Sequence, residues 1–379
     1  MEFRDLKRQY EILKPQIDLS ISNVINTAHF VSGSQVEALE NQLAEYVGTK
    51  YCITCGNGTD ALILALMAWG IGPGDAVFVP DFTFFSSGEA PAYLRATPVY
   101  VDVDRETYNI DPTKLELAIL KVKAEGKYTP KVVVAVDLFG QPADYTSIEP
   151  ICKKYGLFLL EDGAQGFGGL INGRRACSFG DISTVSFFPA KPLGCYGDGG
   201  AIFTNNSEWA ILLRSLSVHG KNKNDKYDNV RIGMNSRLDT LQAAILLPKF
   251  EVFRKYELDN VNQAADWYKE ELKDYEFYLP VVKENFKSSW AQYTIRLPER
   301  VNRPFVQMKL KEENIPTMIY YTKPMHRQSV FCGTYSSKAE CPVTEELCDT
   351  VLSLPIGPYI TRKEVENVTG FLKKLIDIK

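Results

Sequence analysis

The residues with the clearest chemical potential are Lys191 and Asp162. Lys191 lies in a glycine-rich stretch, residues 186–200. Asp162 follows an apolar run that begins at Leu157, and it precedes Lys191 by 29 positions. A lysine amine can condense with an aldehyde, and a carboxylate at the end of a buried strand can keep a pyridine nitrogen protonated. Most lysines are solvated and most strand-end aspartates are turn residues, so either residue alone means little. The pair in this order predicts a pyridoxal phosphate site with Lys191 and Asp162 as its catalytic residues.

Two further segments supply groups suited to a phosphate. Gly58 and Thr59 lie in the sequence GNGTD (residues 56–60), between a predicted strand and a predicted helix. Unpaired N–H groups and a partial positive charge favour anions at a helix N-terminus. Ser186 lies five residues before Lys191 and offers a hydroxyl. The alternatives are an ordinary capping turn for the glycine segment and a backbone-bonded buried serine.

Two side chains are candidates for contacts with the cofactor ring. Gln165 follows Asp162 by three residues, and its amide suits the phenolic oxygen of the ring; the alternative is a polar loop residue. Phe84 belongs to the sequence DFTFF (residues 81–85), which follows a β-rich run. An aromatic side chain there can stack on a flat pyridine ring, whereas core packing is expected for its phenylalanine neighbours.

Composition limits the class of protein. The chain has 379 residues, 45% hydrophobic and 24% charged, with a formal net charge of −4, which argues against a nucleic-acid binder. The longest apolar run, residues 61–71, is too short to span a bilayer, and the N-terminal residues lack the apolar region of a secretory signal. We therefore expect a cytoplasmic protein with no nucleic-acid or membrane partner.

The cysteine and histidine content argues against a metal site. The 8 cysteines are too few for a disulfide scaffold in a chain of this length, and the 3 histidines are too few for a histidine-rich metal site. Cys52 and Cys55 form a C-x-x-C pair, which allows a redox or zinc role, but no second such pair exists. Reduced thiols are the favoured alternative, and no metal is predicted.

The order of predicted elements indicates an α/β fold. Several of the predicted strands are apolar throughout, which is typical of strands covered on both faces. We predict a three-layer α/β/α large domain with a mainly parallel sheet over residues 1–245, and a smaller α+β C-terminal domain over residues 246–379. The strands are predicted at residues 51–54, 76–79, 98–103, 132–136, 157–160 and 184–187, then 290–297 and 317–321; the main helices are predicted at residues 35–47, 60–69, 246–272, 305–313 and 362–378.

Together these segments resemble the DegT/DnrJ/EryC1/StrS sugar aminotransferase family of fold-type I pyridoxal phosphate enzymes. The resemblance extends over nearly the whole chain, in the order FVSG (30–33), GTDAL (58–62), VDV (101–103), EDGAQ (161–165), residues 180–200, VHG (218–220), GMNSRLDTLQAA (233–244), IPT (315–317) and LSLP (352–355). Two positions depart from the family pattern, which usually has alanine at Gly163 and often histidine at Phe167. Neither departure affects the chemistry of the lysine.

The resemblance implies a role for each candidate. Lys191 would bond to the cofactor, Asp162 would pair with the pyridine nitrogen, Gln165 would contact the ring oxygen, and Phe84 would stack. The cofactor phosphate would be held by Gly58, Thr59 and Ser186, with Asn235 reaching it from a neighbouring subunit. The family resemblance thus implies a homodimer with shared active sites.

Residues 187–200 and 226–235 are most similar to a subgroup that transfers an amino group from L-glutamate to C3 of UDP-linked 3-keto sugars, either N-acetylhexoses or their uronic acids. Arg231, Tyr321 and His326 are the candidates for sugar contacts. The alternatives are a transaminase for dTDP-linked 3- or 4-keto-6-deoxysugars and a regulatory homologue that has lost catalysis. A related dehydrase would have histidine in place of Lys191, and a dinucleotide-dependent dehydrogenase would need a third glycine after residues 56–58.

Overall fold

The computed structural model describes residues 1–222, 224, 225 and 227–376. Lys226, which begins the second subgroup segment, and Asp377 and Ile378, at the end of the last predicted helix, lie outside the described residues. The helices are α1 (Leu6–Thr27), α2 (Ser34–Val47), α3 (Gly58–Ala68), α4 (Ser86–Tyr93), α5 (Pro112–Glu125), α6 (Tyr145–Tyr155), α7 (Ser207–Leu216), α8 (Thr240–Val252), α9 (Leu258–Leu272), α10 (Arg303–Glu312), α11 (Pro342–Thr350) and α12 (Arg362–Ile376). Within the described part of the chain, none of these is both long and apolar enough to cross a bilayer.

Within the described residues, the strands form one large sheet and two small ones. The strands are β1 (Tyr51–Cys55), β2 (Asp75–Pro80), β3 (Thr97–Val101), β4 (Thr129–Val136), β5 (Phe158–Asp162), β6 (Leu170–Ile171), β7 (Arg174–Arg175), β8 (Ile182–Ser186), β9 (Gly200–Thr204), β10 (Phe286–Lys287), β11 (Tyr293–Arg296) and β12 (Val351–Leu354). The large sheet has seven strands in the order β1-β9-β8-β5-β4-β2-β3, and only β9 runs against the others. The predicted α/β fold with a mainly parallel sheet is confirmed.

The sheet is covered on both faces, which explains why its strands are apolar throughout. Along β4, Val132 and Val134 pack into one core with α3 and α7, whereas Val133 and Ala135 pack into another with α5 and α6. Side chains alternate between the two faces of a strand, so a strand between two helical layers must be apolar at every position. The six strands predicted between residues 51 and 187 are present, with ends shifted by a few residues.

The reversed strand β9 was not predicted, and it fixes the geometry near the site. It lies between β1 and β8, and Gly200 pairs with Cys55 on one side and with Ser186 on the other. A Cβ atom on Gly200 would lie 2.6 Å from the carbonyl oxygen of Asn57. The glycine therefore lets the loop after β1 approach the end of β8.

The C-terminal part shares a hydrophobic core with the large sheet, because the cluster that holds its apolar side chains also contains Leu43, Val185 and Phe203. β11 pairs with β12 in antiparallel register, and apolar side chains from both strands pack with α9, α10 and α12. The long predicted helix at residues 246–272 is present as α8 and α9, joined through a π-helical turn at Phe253–Glu257. The predicted domain boundary at residue 245 falls within α8 and stays a prediction.

The strand predicted at residues 317–321 is wrong. Met318 alone pairs with the edge of β12, where its backbone exchanges two hydrogen bonds with Ser353. The chain then leaves the sheet edge, and Tyr320 and Tyr321 contribute to the wall of a cavity. The aromatic residues of this segment, which favour strands, line the cavity instead of forming a strand. Sequence periodicity does not distinguish an aromatic residue in a strand from one in a cavity wall.

Candidate active site

A cavity of about 650 Å³ opens beside the carboxyl ends of the parallel strands. Ligands of α/β proteins commonly bind at this edge, because the loops that follow the strands converge there. Seven of the predicted cofactor-binding residues line it: Gly58, Thr59, Phe84, Asp162, Gln165, Ser186 and Lys191. The structure thus brings together side chains that are up to 133 positions apart in the sequence.

Asp162 is the last residue of β5 and is buried. Its Oδ2 accepts a hydrogen bond from the Ser87 hydroxyl at 2.8 Å, and its Oδ1 accepts one from the Ala164 amide at 3.2 Å. Burial raises the pKa of Asp162, while these two donors and the charge of Lys191 oppose the rise. A cationic ring nitrogen would supply the strong partner that the buried carboxylate needs to stay ionised.

Lys191 lies in the turn after β8, where its amide donates to the Phe188 carbonyl at 2.9 Å. Burial lowers the pKa of the Lys191 amine from 10.5 to about 8, and the Asp162 carboxylate works in the opposite direction. Only a neutral amine can attack an aldehyde. The depressed pKa therefore makes Lys191 far more nucleophilic near neutral pH than a solvated lysine.

The N-terminus of α3 forms a polar cradle on one side of the cavity. Asn57 caps the helix by accepting a hydrogen bond from the Asp60 amide at 2.8 Å, and the Thr59 hydroxyl lies 2.7 Å from that of Ser86 at the start of α4. A Cβ atom on Gly58 would lie 2.7 Å from the Cβ of Ser186. Backbone amides and three hydroxyl groups therefore meet here, as a phosphate requires.

Gln165 and Phe84 occupy the part of the cavity expected for a ring. The Gln165 side chain accepts from the Phe139 amide at 2.8 Å and donates to the Tyr321 hydroxyl at 3.3 Å. The Phe84 ring is 54% exposed, with its centroid 6.5 Å from that of Tyr321. An exposed aromatic face in a cavity wall is available for stacking. Tyr321, predicted to face the sugar, thus lies in the wall as well.

His326 is not among the residues that line the cavity. Its imidazole Nδ1 lies 2.7 Å from Asp81 Oδ2, its amide donates to Asp81 Oδ1 at 2.8 Å, and the side chain is buried. Cys341 lies against the same carboxylate. These contacts attach the segment containing Tyr320, Tyr321 and Met325 to the loop after β2. A substrate contact by His326 stays a prediction that this geometry does not support.

Arg231 and Asn235 also lie away from the cavity within one chain. Arg231 lines an open surface cleft with His219 and Lys221, and its guanidinium donates to the Ser215 hydroxyl at 2.5 Å. Asn235 is exposed and accepts from Arg237 at 2.5 Å. Neither position reaches the cofactor residues of its own chain, so their predicted roles depend on a second subunit.

Sequence reasoning missed the serines of α4. Ser87 donates to Asp162 and Ser86 contacts Thr59, so this helix start contributes to both the ring and the phosphate ends of the site. The sequence SSGE (residues 86–89) places two small hydroxyl residues and an acidic residue in the first turn of α4, which is the signal that sequence offers for a helix start here. Cys52 and Cys55 are both buried free thiols, and they pack in separate hydrophobic cores. This arrangement favours reduced thiols over a redox or zinc role for the C-x-x-C pair.

The cavity fits pyridoxal phosphate on three structural grounds. The buried Asp162 carboxylate needs a cationic partner, the neutral fraction of Lys191 is enhanced, and the cradle at α3 is open to an anion with glycine at its closest approach. Asp162 and Lys191 lie in the wall of one cavity with these groups on either side. The donor set therefore matches a ring nitrogen, an aldehyde and a phosphate.

Residues 12–373 match the model of the DegT/DnrJ/EryC1/StrS aminotransferase family. The chain belongs to this family. Members of the DegT/DnrJ/EryC1/StrS family depend on pyridoxal phosphate, and the chain is accordingly a pyridoxal-phosphate-dependent nucleotide-sugar aminotransferase. The expected cofactor and enzyme class are confirmed.

Two curated members of the family are similar over almost their full lengths. The chain is 43% identical over 374 residues, 98% of this chain and 99% of the relative, to a UDP-2-acetamido-2-deoxy-3-oxo-D-glucuronate aminotransferase of Pseudomonas aeruginosa. It is 38% identical over 374 residues, 98% of this chain and 97% of the relative, to a UDP-N-acetyl-3-dehydro-alpha-D-glucosamine 3-aminotransferase of Acidithiobacillus ferrooxidans. A solved structure of NtdA from Bacillus subtilis with the bound cofactor PMP superposes with a TM-score of 0.89 at 31% identity, covering 99% of this chain and 85% of that one.

Proposed function

We propose that the enzyme transfers an amino group from L-glutamate to C3 of a UDP-linked 3-keto sugar, either an N-acetylhexose or its uronic acid. The observation that carries this proposal is the assembly of Lys191, Asp162 and the phosphate cradle in one cavity, in a chain with two similar relatives that act on UDP-linked 3-oxo sugars. The remaining wall, formed by residues such as Gln292, Tyr320 and Gln328, offers amide and hydroxyl groups for a sugar.

The chain's own residues divide the chemistry among them. When bound, pyridoxal phosphate supplies an electron sink for the pair released at Cα of the amino donor. Asp162 holds the ring nitrogen protonated, and an opposite charge this close shifts a pKa by about 1–3 units toward the charged form. Lys191 Nζ is placed to take the proton from Cα and to return one to the acceptor carbon of the sugar.

The direct test is transfer from L-glutamate to defined acceptors. UDP-linked 3-keto-N-acetylglucosamine, its uronic acid and a dTDP-linked 3-keto-6-deoxyhexose would be offered separately, with 2-oxoglutarate and the aminated sugar measured by mass spectrometry. We expect amination of at least one UDP-linked sugar, and none by Lys191→Ala. Turnover of the dTDP-linked sugar alone would establish the alternative substrate class. A protein that takes up the cofactor but transfers nothing from L-glutamate would favour a regulatory homologue.

We also propose that the working unit is a homodimer with shared active sites. Asn235 and Arg231 lie on an exposed segment with Ile232, which is 87% exposed, so this segment has surface available to a second subunit. The test mixes Lys191→Ala with Asn235→Ala after joint refolding or co-expression. If sites are shared, the mixed dimer contains one site with both native residues and regains activity, whereas a site built from one chain stays inactive in the mixture. We expect this dimer to act in the cytoplasm.

A further inference from the structure

A second, smaller cleft adjoins Lys191 on the side of the N-terminal segment. It is lined by Arg4, Arg8, Lys191 and Gly194 together with Ile356 and Tyr359, and has room of about 60 Å³. A single water needs roughly 10–15 Å³ on this measure, so the cleft has space for a small polar group. Lys191 also lines the catalytic cavity, so the cleft and that cavity adjoin each other at this residue.

Arg4 in this cleft has an unusual environment for a guanidinium. Its Nη2 reaches only the Pro192 carbonyl, at 3.4 Å, and its Nη1 is buried without a hydrogen-bond partner among the described residues. Burial lowers the pKa of Arg4 to about 10, with Glu257 opposing the change. Arg4 as a residue is half-buried, but buried polar atoms are normally hydrogen-bonded, so its unpaired Nη1 is suited to an anionic partner from outside the chain.

Three carboxylates near Arg4 are already engaged by other groups, and a fourth, Glu2, lines the cleft as an exposed residue. Glu257 accepts from Gln9 at 2.8 Å and from Tyr359 at 2.6 Å. Glu364 accepts from Thr361 and Arg8, and Asp5 caps α1 by accepting from the Arg8 amide at 2.9 Å. None of these carboxylates is within ion-pair distance of Arg4 in the described chain.

Buried cations outnumber buried carboxylates around Arg4. Lys249 is 1% exposed, and its Nζ lies 4.8 Å from the centre of the Tyr196 ring. Arg4 is close enough to influence both Lys249 and Lys191, and the buried carboxylates that act on these three cations are Glu257 and Asp162. Three cationic side chains against two carboxylates leave room for one further negative charge.

We propose that Arg4 binds the side-chain carboxylate of the amino donor and thereby selects L-glutamate. This inference rests on the proposed transamination. In L-glutamate the γ-carboxylate lies two methylene groups beyond Cα, so a donor whose Cα is at Lys191 can extend this carboxylate into the adjoining cleft. A guanidinium is suited to a carboxylate because its N–H groups match the two oxygens.

The test compares L-glutamate with L-glutamine, which has nearly the same shape but no side-chain charge. In Arg4→Met we expect kcat/KM for L-glutamate in the first half-reaction to fall by about 30-fold or more, since truncating a buried charge partner costs at least that much. The value for L-glutamine and the KM for the sugar nucleotide should stay unchanged. Arg8→Met is the matched control, because Arg8 lines the same cleft but is bound to Glu364 and to the Tyr359 carbonyl.

A binding measurement separates this inference from the proposed function. Glutarate has both carboxylates of the donor without its amine, and calorimetry should detect its binding to the wild type and to Arg8→Met but not to Arg4→Met. If Arg4→Met does not fold, Arg4→Lys keeps the charge with fewer donors and should weaken glutarate binding. Equal losses for L-glutamate and L-glutamine, or unchanged glutarate binding in the Arg4 variants, would overturn the inference. Absence of transfer from every donor, with glutarate binding intact, would overturn only the transamination.

Discussion

The Ser87 hydroxyl donates a hydrogen bond to Asp162 Oδ2 at 2.8 Å, so the carboxylate that we propose as the partner of the pyridine nitrogen is oriented by the first turn of α4. Thr83 lies behind this serine, with its hydroxyl 3.1 Å from that of Ser87. A hydrogen bond to an ionised carboxylate favours the ionised form. The serine therefore contributes to keeping Asp162 negative inside a wall where burial favours its neutral form.

Replacing Ser87 by alanine should weaken cofactor binding. We expect about tenfold lower affinity, which corresponds to about 1.4 kcal/mol. Loss of the donor also raises the pKa of Asp162 further, so the pH below which cofactor binding declines should move upward. Fluorescence titration of the apoprotein over a pH series measures both effects. Ser336→Ala removes a buried serine bonded to the Pro98 carbonyl instead, and should leave the titration unchanged.

Asp162→Asn keeps the shape of the side chain and removes its charge. We expect the rate of the first half-reaction to fall by about 100-fold or more, because a two-unit loss of support for the ring proton is worth about 2.7 kcal/mol. Single-turnover kinetics with L-glutamate measures the rate. A control is Asp181→Asn, since Asp181 accepts from the Leu159 amide outside the cavity. A native rate in Asp162→Asn would contradict the assigned role.

Lys191 should show its depressed pKa in the rate of cofactor uptake. Burial lowers the pKa of this amine to about 8, so its neutral fraction, and with it the uptake rate, should rise with pH and level off above about 8. A solvated lysine would still be increasing its rate near pH 10. Stopped-flow absorbance after mixing apoprotein with pyridoxal phosphate gives the profile, and Lys191→Ala should show no covalent phase.

Gly58→Ala should disturb the phosphate cradle. The added Cβ would lie 2.7 Å from Ser186 Cβ, too close without a shift of backbone, so we expect a lower affinity for pyridoxal phosphate. Gly370→Ala is the control, because a Cβ there meets no atom within 4 Å. In α12 it should stabilise the protein by about 0.5–1 kcal/mol in urea unfolding. An unchanged cofactor affinity in Gly58→Ala would exclude a close phosphate contact.

His326→Ala should affect stability more than substrate recognition. The variant leaves the buried Asp81 carboxylate without its main partner, which should lower the free energy of unfolding by about 3–5 kcal/mol. Arg327→Ala breaks an exposed pair with Glu345 and should cost about 1 kcal/mol or less. Denaturant titration distinguishes the two. A variant with native stability and a raised KM for the sugar nucleotide would restore His326 as a substrate contact.

The predicted site residues that the structure brings into one cavity are those whose position follows from the sheet. Asp162 and Ser186 end parallel strands and Gly58 begins the helix after one, so strand prediction alone brings them to the same edge. The contacts of His326 and Ser87 could not be predicted in this way. Each of these residues forms a hydrogen bond that depends on how its segment packs against an element far away in the sequence. His326 and Asp81 are 245 positions apart, and a local sequence pattern does not indicate which distant residues will be in contact.

The same limit applies to β9 and to residues 317–321. β9 is short and apolar like its neighbours, and nothing in its residues indicates that the strand is reversed. Tyr320 and Tyr321 have the β-forming side chains of a strand but lie in the cavity wall. Tyr321 packs against Phe82 and accepts a hydrogen bond from Gln165, and the Tyr320 ring contacts that of Tyr321. Tertiary contacts override strand propensity there.

Gly200 determines how closely the loop after β1 can approach the large sheet. It pairs with Cys55 on one side and with Ser186 on the other, and its lack of a side chain leaves room for the backbone of Asn57 and Gly58. Residues that contact no ligand can therefore also determine whether the proposed phosphate site tolerates a mutation. A methyl group at this buried position would collide with the Asn57 carbonyl and should displace Gly58 from the predicted phosphate site, although every side chain of that site would be unchanged.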